Sequence, residues 1–272
     1  MGTGPQKYPG ASLSAWYQDD FPGSVMESNV VLWHSTEGRS LPDYRGGLDA
    51  PNITAVPDFA AERLRWYQHH DLDRSSRALV NDPGGVETNT LNVCQVEIVG
   101  TCDPATRADW GRRDYDDFLY MPMLPDWVIR DLADFAKFMH AAHGVPLTSD
   151  VTFKAYPGSY GSSNGVRMSF AKWNGFSGHC GHQHAPENLH GDPGAFPMRA
   201  ILDAVKEVPV TDVPGLNVEA PKPAAYTQVL ETDSIPAPRN HPDYATHKFW
   251  TGESYLRFIA EQLIDIRKEL DS

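Results

Sequence analysis

Histidine is the residue whose placement is uneven in this chain. Of eleven histidines, His179, His182 and His184 stand together in Gly178-His-Cys-Gly-His-Gln-His184, with Cys180 among them. His190 and Asp192 follow in a run rich in glycine and proline. Imidazole and carboxylate are the usual ligands of catalytic zinc, where three protein groups hold the ion and one position stays open. The segment could therefore bind a metal, or it could be a polar surface loop of locally biased composition. His34 closes the apolar run Asn29-Val-Val-Leu-Trp-His34, and a strand end presents its side chain rigidly into a cleft. It could supply a further ligand, or be a core-edge histidine bonded to backbone. Glu97 lies inside Val96-Glu-Ile-Val99, where a carboxylate is costly to bury unless paired. Beside an activated water it would act as a general base. Alternatively, it occupies the solvated face of an edge strand, with Cys94, Val96 and Ile98 on the other face.

Other chemistry lacks support. The chain has no Gly-Lys-Ser/Thr phosphate loop and no Gly-x-Ser-x-Gly elbow. His69, His70, His140 and His143 are expected at helix ends, where imidazole satisfies carbonyls and the helix dipole. Cys94 and Cys102 read as small buried thiols, and three cysteines are too few for a disulfide scaffold.

The elements that must position these residues alternate between strand and helix. Residues 29–34 and 92–100 read as strands, the first from its β-branched run and the second from its alternation. Residues 58–70, with Phe59, Leu64 and Tyr67, are expected to form a helix, and residues 151–156 a strand. The clearest helix follows Pro125-Asp126. Val128, Leu132, Phe135 and Met139 fall on one face, and Gly144 stands where a terminating glycine belongs. Residues 196–208 read as a shorter helix, and residues 1–25 as an irregular arm packed through Trp16, Tyr17 and Phe21. Strands interleaved with helices make the expected fold α/β, a central mixed β-sheet flanked by helices.

Three segments follow: a domain over 1–208, a proline-rich connector over 209–242, and an amphipathic helix over 243–272. Prolines 209, 214, 221, 223, 236, 238 and 242 mark the connector. Leu256, Ile259, Leu263, Ile266 and Leu270 make the helical stripe, which either docks on the domain or self-associates. Lys+Arg 23 against Asp+Glu 36 gives a formal charge of −13, a poor partner for nucleic acid or anionic lipid. No stretch approaches the ~20 apolar residues of a membrane span, and the opening residues lack a signal-peptide apolar run.

Four stretches together resemble the zinc-dependent N-acetylmuramoyl-L-alanine amidases of the type-2 amidase and peptidoglycan-recognition-protein superfamily, and within it the endolysins of phages infecting actinobacteria. They are Trp33-His34-Ser-Thr-Glu37-Gly38, Thr88-Asn89 with Gln95-Val-Glu97-Ile-Val-Gly100, Gly181-His182-Gln-His184, and His190-Gly-Asp192-Pro-Gly194. The resemblance covers about residues 14–206, while residues 103–120 form an insertion outside it and no wall-binding repeat follows the connector.

The resemblance implies zinc in a surface groove, held by His34, His182 and Asp192; the ten positions between the last two match family members with an aspartate ligand. It assigns Glu97 as the base and His190 as the group that stabilises the oxyanion. His184 becomes an orienting neighbour or fallback ligand, and Trp33, Asn89, Tyr160 and Trp173 become groove-lining candidates. The implied reaction is hydrolysis of the amide between N-acetylmuramic acid and L-alanine in bacterial peptidoglycan, with three alternatives: a zinc peptidase cutting the stem peptide, a non-catalytic peptidoglycan receptor of the same fold, and a structural virion protein with a decayed site. Such a lysin would accumulate in the host cytoplasm and reach the wall through a separate membrane pore.

Overall fold

A computed structural model describes residues 4–81, 85–86, 88–89, 92–111, 117–207, 235–236 and 249–250. The chain divides into two units, Met1–Leu216 and Asn217–Ser272. In the second, Ile235–Pro236 pairs antiparallel with Phe249–Trp250; the rest of the expected connector and the stripe from Leu256 to Leu270 lie outside the described residues. No described helix is long and apolar enough to cross a membrane.

The first unit is α/β, built on a five-stranded sheet. Its strands are β1 (Val30–Ser35), β2 (Ile53–Asp58), β3 (Arg63–Gln68), β4 (Val93–Ile98) and β5 (Gly178–Gly181), in the order β3-β2-β4-β1-β5. The pairs β2–β4, β4–β1 and β1–β5 are parallel, and β2–β3 is antiparallel, so the sheet is mixed. Among the described residues four α-helices accompany it: α1 (Pro104–Trp110), α2 (Asp126–His143), α3 (Phe170–Asn174) and α4 (Met198–Glu207).

Alternation along the strands divides the sheet into two faces. Val31, Trp33, Ile53, Ala55, Cys94, Val96 and Ile98 pack with Val128, Leu132, Phe135 and Met139 of α2 and Ile201 of α4 in one core. Helix α2 ends as its glycine requires, with Gly144 at φ 72° and its N–H returned to His140 O at 3.0 Å. Val30, Leu32 and Val93 point the other way, into a smaller cluster with Met168, Trp173 and Cys180. His34 and Glu97 share the parity of that second face.

Two expected elements differ. Residues 58–70 are not a helix but the turn and second strand of the β2–β3 hairpin. Leu64, Trp66 and Gln68 are buried while Arg63 and Arg65 are exposed, a period of two; Trp66 stacks on Phe135 with ring centroids 4.9 Å apart. Residues 151–156 form no strand and do not join the sheet. Side chains occupy their polar groups instead: Lys154 N–H donates to Gln183 Oε1 at 2.8 Å, and Thr152 O accepts from His184 Nε2 at 3.0 Å.

His69 and His70 accordingly follow a strand, not a helix. Both are fully buried and bonded to backbone carbonyls, His69 to Ala15 O at 2.7 Å and His70 to Pro51 O at 3.1 Å. Cys94, Cys102 and Cys180 are buried free thiols.

Candidate metal centre

His34 leaves the end of β1 and Glu97 the end of β4, and the parallel register sets the two side by side. The third contributor arrives from β5. That strand turns sharply into a 3-10 turn, His182–His184, and the loop beyond returns to place Asp192 over the end of β1. Gly181 is required at the turn: an added Cβ would lie 2.7 Å from Pro193 Cδ and 2.8 Å from Phe153 Cε1.

His34, His182 and Asp192 form the group among the described residues that could hold a metal ion. His34 Nδ1 lies 3.0 Å from His182 Nδ1 and 3.3 Å from Asp192 Oδ2; His182 Nδ1 lies 3.2 Å from Asp192 Oδ1. Zinc bonds of about 2.0–2.1 Å in a tetrahedron set ligand atoms about 3.3 Å apart, so these separations match three corners of such a site.

The protonation pattern also suits a cation. Asn188 fixes the His182 tautomer. Its Nδ2 donates to Pro186 O at 2.9 Å and its Oδ1 accepts from Val80 N–H at 3.0 Å, which settles the orientation of the amide. The same Oδ1 lies 2.9 Å from His182 Nε2 and can only accept, so the proton of a neutral His182 sits on Nε2 and its Nδ1 lone pair faces His34 and Asp192. Burial pushes His34 down to about 4, against the opposing hydrogen bond to Asp192 and with help from the charge of His182. Burial would raise Asp192, but His182 and then His34, when protonated on Nδ1, outweigh it and hold the carboxyl well below its ordinary range. Lone-pair atoms at these separations repel unless a proton or a cation stands among them.

Glu97 faces the same cleft, a hollow of ≈ 490 Å³ whose lining includes Glu37, Tyr44, His182, His190 and Asp192. Its Oε2 is enclosed without a hydrogen-bond partner. Burial, then the charges of Asp192 and Glu37, push its carboxyl well above the usual range. Its strand is central, between β2 and β1, so the face opposite Val96 is the cleft and not the solvated face of an edge strand. His190 stands at the rim, 70% exposed, with Nδ1 3.9 Å from Asp192 Oδ1 and its ring 5.0 Å from that of His182. Tyr160, half exposed, lies alongside His190 at 6.4 Å.

Other sequence candidates lie elsewhere. His184 cannot serve as a fallback ligand, because its Nδ1 accepts from Gly181 N–H at 2.9 Å and its Nε2 donates to Thr152 O. It shapes the turn that carries His182. Trp33 is fully buried on the α2 face, against Phe135, Phe196 and His179. Trp173 is buried in the smaller cluster on the opposite face. Neither lines the groove. Asn89 pins the chain at Leu79, donating to Leu79 O at 2.6 Å and accepting from Leu79 N–H at 3.1 Å, and lines a neighbouring hollow. His179 belongs to the core, where its Nδ1 accepts from Trp33 Nε1 at 3.3 Å.

Nothing local in the sequence marks the groups that hold the ligand loop. Arg167 donates to four backbone carbonyls, those of Gly161, His182, Ala185 and His190. Asn164 Nδ2 donates to Gln183 O at 2.9 Å, and Gln183 Nε2 donates to Gly194 O at 2.8 Å. Glu37 braces the far wall, accepting from Ser35 Oγ at 2.6 Å and from Cys102 N–H at 2.9 Å. A larger hollow of ≈ 590 Å³, between residues 147–153 and α4, is lined by none of His34, His182 and Asp192.

No family model matches the chain, and no curated protein matches it. Among solved structures, a PlyL mutant aligns over 68% of this chain and 88% of its own, at 12% identity and a TM-score of 0.34. Likeness at that level assigns neither fold nor chemistry.

Proposed function

We propose that the protein is a metal-dependent amide hydrolase of peptidoglycan that cleaves the bond between N-acetylmuramic acid and L-alanine. The observation that carries this reading is the convergence of three ligand atoms 3.0–3.3 Å apart beside the unpartnered Oε2 of Glu97. The motif resemblance supplies the substrate class. His34, His182 and Asp192 would hold zinc, which when bound polarises a carbonyl and makes water a stronger acid.

The chain's own groups do the rest. Glu97 Oε2, free of other bonds, takes a proton from the attacking water and delivers it to the leaving amine nitrogen. Its raised affinity for a proton suits both halves of that task. His190, exposed at the rim, donates to the substrate carbonyl oxygen as negative charge grows there. Asn188, Arg167 and His184 keep the imidazole of His182 oriented throughout.

The test pairs metal analysis of the purified protein with digestion of muropeptides and mass spectrometry of the products. Free N-terminal L-alanine and intact muramic acid are expected, with about one zinc per chain. Cuts inside the stem peptide would indicate a zinc peptidase instead. Binding without cleavage by zinc-loaded protein would indicate a receptor.

A further inference from the structure

Tyr44 lines the cleft together with Glu97, yet Glu97 Oε2 is enclosed without a hydrogen-bond partner. The sheet register brings the two groups together. Thr54 of β2 is paired with Glu97 of β4, as Glu97 is with His34 of β1, so the three stand abreast on the cleft face. Tyr44 Oη lies 2.6 Å from Thr54 Oγ1. Burial, then the charge of Glu97, raise the phenol well above its ordinary range, so it stays a neutral hydroxyl. Such a hydroxyl beside a carboxylate would ordinarily donate to it.

The direction of the Tyr44–Thr54 bond is set two residues further along. Ala15 O can only accept, so His69 Nδ1, 2.7 Å away, carries a proton. Burial lowers His69 to about 4, so at neutral pH its Nε2 is a bare lone pair. Thr54 Oγ1 lies 2.9 Å from that nitrogen and must donate to it. A hydroxyl has one proton, so Thr54 has only lone pairs left for Tyr44, and the phenol proton points at Thr54. Thr54 and His69 are fully buried. Tyr17 stacks on the His69 ring at 5.4 Å and Tyr44 meets it edge-on at 5.2 Å. Tyr44 itself has φ of 52°, a left-handed backbone that a bulky residue adopts only where its surroundings hold it there.

We propose that Thr54 and His69 are positioning residues that act on Glu97 through Tyr44, turning the phenol proton away so that the cleft carboxylate meets a lone pair and not a donor. The proposal rests on the amide-hydrolase reading for the work Glu97 does. A phenol donating to the carboxylate would stabilise its charged form and make it a weaker base. With that proton committed to Thr54, Glu97 Oε2 stays open to the attacking water.

The test reads kcat and KM of zinc-loaded protein on a small soluble muropeptide. Thr54→Val removes the acceptor and frees the Tyr44 proton for Glu97. It is expected to lower kcat about tenfold with KM unchanged, the scale of one hydrogen bond to a charged group. Thr54→Ser should recover most of the loss. Adding Tyr44→Phe to Thr54→Val removes the misdirected proton and should bring kcat back to within about twofold of wild type, a coupling that a merely structural role would not give. A wild-type rate for Thr54→Val, or a double variant no faster than Thr54→Val, would overturn the proposal. Two NMR measurements need no turnover. The imidazole nitrogen shifts of wild-type His69 should show its proton on Nδ1 at neutral pH. A proton on Nε2 would reverse the chain and overturn the proposal even if Thr54→Val misfolds. The carboxyl-carbon resonance of Glu97, assigned through Glu97→Gln, should move in Thr54→Val and return in the double variant. If wild-type protein cleaves no muropeptide while both signals behave so, the hydrolase reading fails and the role of the chain remains. If it cleaves, and the Glu97 resonance is the same in all three proteins, the proposal fails and the hydrolase reading remains.

Discussion

At the scale of single residues, the metal centre is a competition between protons and a cation for three lone-pair atoms. Burial keeps His34 neutral down to about 4, so at neutral pH this imidazole carries no charge that would repel a cation. Asp192→Ala should leave two imidazoles without the anionic ligand and yield protein without zinc. Stoichiometric zinc in that variant, measured by atomic emission, would remove Asp192 from the ligand set. Glu97→Gln should separate binding from chemistry. The amide is nearly isosteric and relieves the repulsion from Asp192 and Glu37, so zinc content and thermal midpoint should hold. Turnover should fall by about 10²-fold or more, because an amide cannot take the proton. A variant keeping a tenth of the wild-type rate would show that the base is another group.

At the scale of elements, the ligand loop depends on packing that a substitution can break without touching a ligand. Asn188 fixes the His182 tautomer from six residues away. Asn188→Leu keeps the volume, removes that acceptor, and should weaken zinc affinity about 10–100-fold, as losses of such orienting bonds generally do. Competition with a chromophoric chelator would measure it, and unchanged affinity would mean that the loop backbone alone orients the ring. The motif around this loop was legible in sequence because glycine, histidine, aspartate and proline crowd into residues 181–194 and resemble an amidase motif there. Arg167 and Asn164 were not legible. They act on carbonyls distant in sequence, and nothing local distinguishes such a residue from a surface one.

At the scale of the whole molecule, several buried imidazoles couple folding to pH. Burial lowers His69 and His184 to about 4 and His179 to about 3, each against a normal value of 6.5. Between about 6.5 and 4 the unfolded chain takes up protons that the folded chain refuses. The stabilisation is therefore complete above about 6.5 and is lost as pH falls toward 4. Glu97 and Asp131, both raised chiefly by burial, oppose this trend. The urea midpoint should fall steadily from pH 7 to pH 4.5, and a midpoint constant across that range would contradict neutral buried imidazoles. The division at Leu216 gives a further expectation. Every group assigned to chemistry lies before position 193, so a chain ending at Leu216 should keep its zinc and its cleavage of small soluble muropeptides. Loss of either would make the second unit part of the catalytic fold.

The sequence by itself determined what depends on local order. The period of α2 between Pro125 and Gly144, the β-branched run ending at His34, and the ten positions from His182 to Asp192 each carry their meaning within a short span. Tertiary structure decided what depends on which face is covered. Alternation put Glu97 opposite Val96, but only the packing of α2 on the Val96 face made the other face a cleft. The same covering buried Trp33. It also drew residues 63–68 into a strand, since Trp66 gains more against Phe135 than a lone short helix could bury. Residues 151–156 had the composition of a strand but met side-chain partners in place of a free sheet edge. Backbone hydrogen bonds must go somewhere, and where they go is a property of the assembled chain.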